Sequence, residues 1–558
     1  MDIIALANRI NDHLVPRILG AQIRQPGAVD DGGLLLPEKG FAEPARSAFA
    51  ADTLISAYLS PNSRYCGDEA VLRGALQLLA HLVRNTHADG TIDLLETNFH
   101  DATCNGFSVQ VLGYTHRLMK DRAEKSALER AVFESLEEFL GLSARAMREG
   151  GFHTPNHRWV LASALSLCYR ELGDEGCLAT ARLYLDEGMD CDEEGEYTER
   201  SAGIYDVVCN HSLMILVNEL DRPELAECVL RNLDKLAHYV EPDGSVLTLN
   251  SRRQDYGKRM DPYRHTLPCL LALAHPHDPG DSRFARAAGL LAFLFRQYEE
   301  VLNGLWAPQD AGALVTHLLL RPELAQVHPA EALPERYERL YPKAGVLRRR
   351  DGNATLTLVR DNATFMKLQV GSMEMLVRLS ASYYARGQFR AEAIEPAEGG
   401  WRMRYSHRWG YKRPLGDRTG TPVWADMPHH LREDVNMLTW NWEVAVLPGD
   451  RQVTVHIHGD GCDRLPWALE CALTAGGMLS TETAFVPGKP GNWVAHRGAC
   501  AYRLHNDEIR FQGGSREHWY APNMRGSEAP REDRFTVYAT GFAPVDERIV
   551  FSWDEPSR

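Results

Sequence analysis

The stretch VLRRRDGNATLTLVRD, residues 346–361, marks the point at which the hydrophobic pattern of the chain changes. Two runs of alternating polar and apolar residues flank the polar turn RDGN, which is typical of a β-hairpin. Upstream, from about residue 45 to 330, apolar residues instead recur every three or four positions, as on one face of a helix. The sequence therefore predicts a helical first part and a β-rich second part.

The helical part contains about eleven or twelve amphipathic segments, separated by short breaks that carry Gly, Pro or Asp. So many helices in antiparallel hairpins close most simply into an α/α toroid, and no short repeat consensus indicates a solenoid. We expect an α+β multidomain protein, with an α/α toroid (an incomplete barrel) over residues 1–335 and an antiparallel β-sandwich over 336–558. The linker is expected within 321–345. The clearest helical segments are 70–86, 128–149, 158–172, 176–189, 210–220, 224–240 and 282–302.

The composition is that of an acidic globular protein, with 76 Asp and Glu against 61 Lys and Arg and a formal charge of −15 over 558 residues. The electrostatic field of such an acidic protein disfavours the binding of nucleic acid. Any anionic ligand must therefore bind at a local cluster of cations. No run approaches the roughly 18 apolar residues of a membrane span, and we expect no membrane partner. The eleven scattered cysteines, without a CxxC pair, are expected to be reduced core thiols.

The first residues, MDIIALANRINDHLVPR, lack the basic start and apolar run of a signal peptide. We therefore expect a cytoplasmic protein, or an exported one whose signal peptide is missing from this sequence. An acidic two-domain chain of 62.6 kDa is also compatible with a homodimer.

The string GGFHTPNHRWVLASALSL, residues 150–167, contains the first candidate site. Pro155 ends any preceding helix, and Asn156 is expected to cap the next one. Asn156, His157 and Arg158 would then lie at a helix start, where the helix dipole favours an anion. The alternative is a capping Asn followed by ordinary surface residues.

The string DEEGEYTERSAGIYDVVCNHSLMIL, residues 192–216, contains the second. An acidic, glycine-flanked loop with Glu199 and Arg200 leads into a helix that starts near Tyr205. A tyrosine at such a position is more often a packing residue than a catalytic one, so the loop alone does not decide its role.

The segment EGEYTERSAGIY, residues 194–205, resembles the heparinase II/III-type polysaccharide lyases. In that family an acidic, glycine- and aromatic-containing segment with Glu, Ser and Tyr precedes a toroid helix, and its Tyr is catalytic. The family also carries an Asn or His about fifty residues earlier, where this chain has Asn156 and His157. The order of toroid and β-sandwich matches as well. The resemblance implies a catalytic set of Asn156, His157 and Tyr205.

The implied chemistry suits these residue types. β-Elimination removes the weakly acidic C5 proton of a uronic acid, so an amide or imidazolium must share the charge of the adjacent carboxylate. Asn156 or His157 would do this, while Tyr205 would act as acid and also as base. A tyrosine base needs neighbouring cations, which Arg200 and His157 would supply.

The chain departs from the family pattern early in the β-domain, where members often carry a further histidine in an H-x-H-x-D-like string. The corresponding segment, MEMLVRLSASYYARGQF (373–389), contains no histidine. Tyr383 and Tyr384 are candidate substitutes, and so is His407 from a later strand. The identity of the second acid/base group therefore stays open.

Three further strings are candidates for substrate binding. The basic string 247–265 offers Arg253, whose guanidinium can bind a carboxylate through two hydrogen bonds, together with Gln254 and Asp255. The string 94–109 has His100 and Asn105 before a helix, and 405–414 has His407 and Trp409, the latter suited to stacking on sugars. The alternatives are a solvated basic loop, helix capping by Asp101 or Thr103, and a strand edge with cation–π pairs.

No cofactor is expected, because no metal-ligand spacing, glycine-rich phosphate loop or G-x-S-x-G motif occurs. His456 and His458 would share one face of a strand, so a structural metal ion in the β-domain stays an alternative, as in some members of the family. The sequence predicts no catalytic metal site.

The sequence thus favours a polysaccharide or oligosaccharide lyase that leaves a 4,5-unsaturated uronate end, with an anionic uronate-containing glycan as its partner. Exolytic action on oligosaccharides is expected from the missing export signal. One alternative is an inverting glycoside hydrolase, which needs two carboxylates about 6.5–9.5 Å apart from among Glu196, Glu199, Asp101 and Asp255. The other is a non-catalytic carbohydrate-binding protein.

Overall fold

The computed structural model describes residues 2–120, 126–278, 280–301, 311–327 and 333–554. The chain forms two compact units. Unit 1 comprises Met1–Val240 and Gly244–Pro334, and unit 2 comprises Glu241–Asp243 and Glu335–Arg558. Unit 2 therefore contains a three-residue segment from the middle of the helical sequence.

Unit 1 is built from helices, and its described residues contain twelve. They are α1 (Ile3–Ala21), α2 (Pro44–Leu59), α3 (Glu69–Arg84), α4 (Ala102–Lys120), α5 (Ala127–Glu149), α6 (Pro155–Leu172), α7 (Glu175–Asp186), α8 (Tyr205–Leu220), α9 (Glu224–Tyr239), α10 (Thr266–Ala274), α11 (Ser282–Val301) and α12 (Ala311–Leu320). Two short ribbons lie between them, β1 (Leu35–Leu36) with β2 (Phe41–Ala42) and β3 (Ile92–Leu94) with β4 (Asn98–Asp101).

The helices are arranged as an inner and an outer ring. Helices α12, α2, α4, α6, α8 and α10 contact one another in that order. Each packs against one or two of the outer helices α1, α3, α5, α7, α9 and α11. Inner helix α4 buries 15 of its 19 residues, whereas outer helix α5 buries 9 of 23 on one face. This is the α/α toroid that the helical periodicity predicts.

Buried polar bonds fix three inner helices to one another. The side-chain amide of Gln110 in α4 donates to the hydroxyls of Ser163 in α6 and Ser212 in α8, each at 2.8 Å. Because a buried amide without partners would be costly, these bonds favour one relative position of the helices. The middle turns of α4, α6 and α8 are thereby held against one another.

Unit 2 is a sandwich of two nine-stranded sheets. Sheet 1 contains β5 (Arg336–Tyr341), β6 (Val346–Asp351), β7 (Ala354–Val359), β8 (Thr364–Val370), β9 (Met373–Ala381), β10 (Gly387–Gln388), β15 (Pro466–Thr474), β18 (Trp493–Ala495) and β21 (Arg534–Phe542). Sheet 2 contains β11 (Ala393–Ala397), β12 (Gly400–Lys412), β13 (Asp434–Gly449), β14 (Gln452–Asp460), β16 (Met478–Thr481), β17 (Phe485–Pro487), β19 (Cys500–Leu504), β20 (Asp507–Gly513) and β22 (Val545–Ser552).

The strands pair antiparallel except for β18 and β21, which are parallel. Strands β6 and β7 form the hairpin predicted from 346–361, with Asp351 opposite Ala354. One hydrophobic core lies between the sheets and includes Phe365 and Met375 from sheet 1 and Trp440 and Trp442 from sheet 2. Facing apolar sides of two sheets are the usual basis of a β-sandwich.

A buried ionic cluster ties the segment Glu241–Asp243 to sheet 1. Both carboxylate oxygens of Glu241 accept from the Arg348 guanidinium, at 3.1 and 3.0 Å, and the Lys367 ammonium lies 3.1 Å away. The Thr355 hydroxyl adds a bond of 2.7 Å. These two cations hold the pKa of Glu241 at about 2, although burial alone would raise it.

Two of the sequence predictions concern the linker and the cysteines. The predicted linker 321–345 is too long, because 336–341 already form strand β5 and 322–326 form a short 3₁₀ helix, while 328–332 lie outside the described residues. The cysteines are thiols as predicted, with nine buried, Cys462 half-buried and Cys66 exposed. In the part of the chain that the structure describes, no helix is both long and apolar enough to cross a bilayer.

Candidate active site

The first turn of α6 carries Asn156 and His157, but in different environments. The cap of this helix is Thr154, and Pro155 is its first residue, so the prediction that Asn156 is the cap is wrong. Asn156 is completely buried, and its amide group donates to both carboxylate oxygens of Glu199 at 3.0 and 2.8 Å. Its backbone N–H donates to the same carboxylate at 3.2 Å. The donors of Asn156 are thus used within the protein.

His157, in contrast to Asn156, has a half-buried side chain. Its ring lies edge-on to Phe107, with 6.1 Å between ring centres. Burial lowers the pKa of His157, and Arg253 lowers it further while Asp101 opposes the shift. At neutral pH the ring is therefore a neutral hydrogen-bonding group rather than a fixed cation.

A buried ionic cluster holds the loop between Cys191 and Tyr205 in place. The Lys235 ammonium lies 2.5 Å from the Glu196 carboxylate and 3.1 Å from that of Asp206. Asn250 donates a further bond of 3.0 Å to Glu196. At Gly195, where φ is +82°, a Cβ would lie 2.4 Å from a backbone carbonyl, so the turn requires glycine. The loop is consequently rigid.

Tyr205 begins α8 and is half-buried, with its phenol group at the surface of unit 1. The hydroxyl donates to the side-chain oxygen of Gln254 at 3.0 Å. The Arg253 guanidinium covers the Tyr205 ring at 4.7 Å from its centre, and its Nη2 is 3.5 Å from the phenol oxygen. The tyrosine therefore has a cation and an amide at its reactive atom.

Arg253 connects Tyr205 to Glu199. Its Nε lies 3.2 Å from a carboxylate oxygen of Glu199, the same group that holds Asn156. Burial raises the pKa of Glu199, although Asn156 and Arg253 counteract this effect. Asn156, Glu199, Arg253 and Tyr205 thus form one continuous chain of contacts from the start of α6 to the start of α8.

Arg200, which the sequence suggests as a cation for Tyr205, lies in the loop before α8. It is half-buried, adopts a left-handed backbone conformation with φ of +52°, and lowers the pKa of Glu196. The cation that the structure places against the Tyr205 phenol is Arg253. Arg253 lies 48 residues after Tyr205 in the sequence, so no local motif connects the two residues. The loop after α9 brings their side chains together.

The four carboxylates proposed for a hydrolase are all buried and engaged. Glu199 is 5% exposed, Glu196 4%, Asp101 3% and Asp255 0%. Asp101 caps α4 through the Thr103 N–H at 2.9 Å, and Asp255 accepts from the Gly203 N–H at 3.2 Å. None of these four offers a free carboxylate to a substrate and its attacking water.

Three predicted binding residues make hydrogen bonds or ring contacts within the protein. Asn105 is completely buried and bonds the Ile92 N–H and the Gly90 carbonyl, both at 3.0 Å, so it does not line a cleft. His100 is exposed, but its Nδ1 is held by Asp89 at 2.7 Å and its ring stacks on His87 at 4.0 Å. Asp255 is likewise a buried support of the loop and not a surface ligand.

Most of the basic residues in the string after α9 are exposed, which is compatible both with substrate binding and with a solvated loop. Arg252, Gln254, Lys258 and Arg259 are exposed, and Arg253 is half-buried beside Tyr205. Arg259 pairs with Asp261 at 3.0 Å. The exposed amide and guanidinium groups give this part of unit 1 several donors for an anionic sugar.

In unit 2, His407 and Trp409 lie on one face of β12, as alternate residues of a strand do. Their rings are stacked at 5.9 Å, and the Arg386 guanidinium lies 3.7 Å from the Trp409 ring centre. Tyr383 is not a substitute acid/base group, because it is 1% exposed and its hydroxyl donates to the Leu438 carbonyl at 2.6 Å. The Tyr384 hydroxyl donates to the Asn436 carbonyl at 3.3 Å.

The described residues do not fit the structural metal ion considered for the β-domain. They contain no group of three or more His, Cys, Asp or Glu side chains able to hold one. His456 pairs with Asp546 at 2.5 Å, whereas His458 is 3.6 Å from Asp460. The two histidines thus have separate carboxylate partners.

Comparison with known proteins shows what the fold is. The sequence matches no protein-family model and no curated protein. A xanthan lyase from Paenibacillus is similar in structure, with a TM-score of 0.55 and 11% identity, and the match covers 100% of this chain but 57% of the lyase. The chain therefore spans little more than half of that enzyme.

Two further lyases match over most of their own length. Heparinase III has a TM-score of 0.57 and 11% identity, with 98% of this chain and 84% of that one covered. The chondroitin AC lyase of Streptomyces coelicolor A3, in complex with chondroitin sulphate, has a TM-score of 0.53 and 15% identity, with 100% and 80% covered. The chain therefore has the toroid-plus-sandwich fold of these polysaccharide lyases.

Proposed function

We propose that the protein is a polysaccharide lyase that cleaves a uronic-acid-containing glycan by β-elimination. The observation that carries this proposal is the Tyr205 phenol, which lies at the start of an inner toroid helix within 3.0 Å of Gln254 and 3.5 Å of Arg253. The shared fold with xanthan, heparin and chondroitin lyases supports it. The four buried carboxylates argue against the hydrolase alternative.

In this mechanism Arg253 and His157 bind the carboxylate of the uronate. Arg253 supplies the positive charge that C5 deprotonation needs, and the neutral His157 ring supplies a hydrogen bond. Asn156 does not touch the substrate but is a positioning residue. It holds Glu199, which in turn fixes the Arg253 side chain.

Tyr205 would transfer the proton. As a phenoxide it takes the C5 proton, and the electron pair of the broken C5–H bond forms the C4–C5 double bond as the C4–O bond breaks. The departing glycosidic oxygen then takes the proton back from Tyr205. No water is consumed, and the products are a new hydroxyl end and a 4,5-unsaturated uronate end.

The test is to incubate the protein with alginate, glucuronan, heparan, hyaluronan, chondroitin, pectin and ulvan fragments while following the ultraviolet absorbance of the unsaturated uronate. We expect the absorbance to rise with at least one glycan and Tyr205→Phe to abolish the rise. Tyr184→Phe, on outer helix α7, is the matched control and should keep full activity. Reducing ends without ultraviolet absorbance, or unsaturated product still formed by Tyr205→Phe, would overturn the assignment.

Arg253→Lys tests the role of the guanidinium. A lysine keeps the charge but loses the two-pronged hydrogen bonding and the contact with the phenol ring. Loss of a charge-assisted hydrogen bond worth about 1.5–3 kcal/mol would lower kcat/KM by about tenfold to hundredfold. Arg259→Lys provides the comparison, because Arg259 is an exposed arginine of the same loop that pairs with Asp261. This substitution should change kcat/KM far less. Equal effects of the two substitutions would refute the special position of Arg253.

A further inference from the structure

Unit 2 contains a groove of about 570 Å³ at one edge of the sandwich. It lies between hairpin β16–β17 of sheet 2 and strand β18 of sheet 1, and the turn 496–499 forms another wall. Ligand pockets in proteins commonly enclose about 300–1,000 Å³. The groove therefore has the size of a small-ligand or short-oligosaccharide site.

Two arginines line this groove without carboxylate partners. Arg497 and Arg516 are exposed, and no Asp or Glu of the described residues lies within ion-pair distance of either guanidinium. Nearby arginines of the same unit differ, since Arg503 pairs with Glu508 at 2.6 Å and Arg534 with Glu374 at 2.5 Å. In a chain with a formal charge of −15, two unpaired guanidinium groups on one groove form a local anion-binding surface.

The rest of the lining suits a sugar rather than a bare inorganic anion. Thr483 offers a hydroxyl group, whereas the Thr481 hydroxyl is bonded within its own turn to the Ala484 carbonyl at 3.2 Å. His496 also lines the groove, with its Nε2 3.0 Å from the Ala499 carbonyl. One carboxylate, Glu482, also lines the groove, which favours a ligand with a single anionic group at the arginines over a dense polyanion.

Two exposed aromatic side chains adjoin residues of the groove, although neither is one of its lining residues. Trp519 is 65% exposed and lies under the Arg516 guanidinium, 5.2 Å from the ring centre. Phe485, the first residue of β17, lies between lining residues Ala484 and Val486 in the sequence and is 78% exposed. Exposed aromatic residues beside arginines are typical of binding surfaces, and flat rings can stack on the apolar faces of sugars.

We propose that this groove is a second glycan-binding site, carried by unit 2 alone, which holds an acidic sugar unit with its anionic group between Arg497 and Arg516. The choice of an acidic sugar rests on the proposed lyase function, whereas the presence of an anion site rests on the groove itself. The anionic group is either a uronate carboxylate or a sulfate ester. Such a site would retain a long glycan on the protein between cleavage events.

The test measures binding to full-length Tyr205→Phe protein by calorimetry with three probes: an unsulfated chondroitin hexasaccharide, its sulfated counterpart and neutral cellohexaose. We expect Arg497→Ala/Arg516→Ala to weaken one class of sites for an acidic probe at least tenfold and cellohexaose to bind neither protein. Binding of both acidic probes assigns the carboxylate, and binding of the sulfated probe alone assigns the sulfate.

The matched control is Arg404→Ala/Arg510→Ala, which removes the same charge from exposed arginines that pair with Glu443 and Asp554. It should leave the Kd of the groove site within about twofold. Equal weakening by both double variants, or tight binding of cellohexaose, would overturn the proposal, since either result removes the role of the two arginines.

The two proposals fail separately. If unsaturated products never form but Arg497→Ala/Arg516→Ala still abolishes one class of binding sites, the groove stands and the lyase does not. If products form and the double variant binds every probe as the parent does, the lyase stands and the groove does not. Circular dichroism of each variant confirms that these surface substitutions leave the fold intact.

Discussion

Glu241 provides a sensitive test of how unit 2 is stabilised. Its pKa falls from 4.5 to about 2 through Arg348 and Lys367, and at 1.36 kcal/mol for each tenfold change this difference is worth about 3 kcal/mol of unfolding free energy at neutral pH. Because the folded-state pKa is the lower one, this contribution is present above about pH 4.5 and is lost as the pH falls toward 2. Glu241→Gln keeps the size of the side chain but removes the titrating charge.

We therefore expect Glu241→Gln to unfold about 3 kcal/mol more easily than the parent protein near pH 7 in urea titrations. At pH 3.5 the carboxylate is still ionised when folded but mostly protonated when unfolded, so the difference should shrink by about 1.4 kcal/mol. Glu338→Gln is the control, since it breaks a half-exposed pair with Arg349 on the same sheet and should cost about 1 kcal/mol or less. A difference for Glu241→Gln that stays constant between the two pH values would refute the ionic explanation.

Two further predictions concern buried charges of unit 1. Lys235→Met leaves Glu196 and Asp206 without their shared cation, so we expect a loss of about 3–5 kcal/mol in urea titrations, and a change below 1 kcal/mol would contradict this. Asp52 is buried and accepts from the Thr115 and Thr316 hydroxyls, and burial raises its pKa from 3.8 to about 6. Because the folded-state pKa is raised, stability is lost as the pH rises through 6, and Asp52→Asn should gain about 2 kcal/mol relative to the parent between pH 4.5 and 7.5. An unchanged or reversed difference would exclude a buried ionised Asp52.

The fold followed from hydrophobic spacing because both halves bury one side of regular elements. Segment 128–149 repeats apolar residues every three or four positions and forms outer helix α5, and 346–361 alternates and forms hairpin β6–β7. The boundary was harder to place. Residues 336–341 carry Arg, Glu and Tyr in a pattern that resembles a linker, yet they form edge strand β5, where polar side chains are tolerated on an exposed strand.

The sequence predicts less of the candidate site than of the fold. The burial of a side chain and the identity of its partners depend on the three-dimensional structure. Sequence spacing placed Asn156, His157 and Tyr205 near helix starts, but it could not tell that Asn156 faces inward while His157 is partly exposed. It suggests Arg200, five residues before the first residue of α8, and His157 as the cations, because residues of the same two motifs are the simplest choice. Arg253 reaches Tyr205 from a loop that no local pattern connects with it.

The insertion of Glu241–Asp243 into unit 2 has a consequence for how the chain folds and how it can be divided. The acid that neutralises Arg348 and Lys367 is made about a hundred residues before them during synthesis, so sheet 1 gains its buried counter-ion only by closing a long loop of chain. A fragment that begins at residue 335 would bury Arg348 without its carboxylate partner, whereas Lys367 would keep its ion pair with Glu374. The β-rich part is thus an incomplete folding unit when it is cut out at its apparent sequence boundary, and a stable fragment must carry residues 241–243 with it.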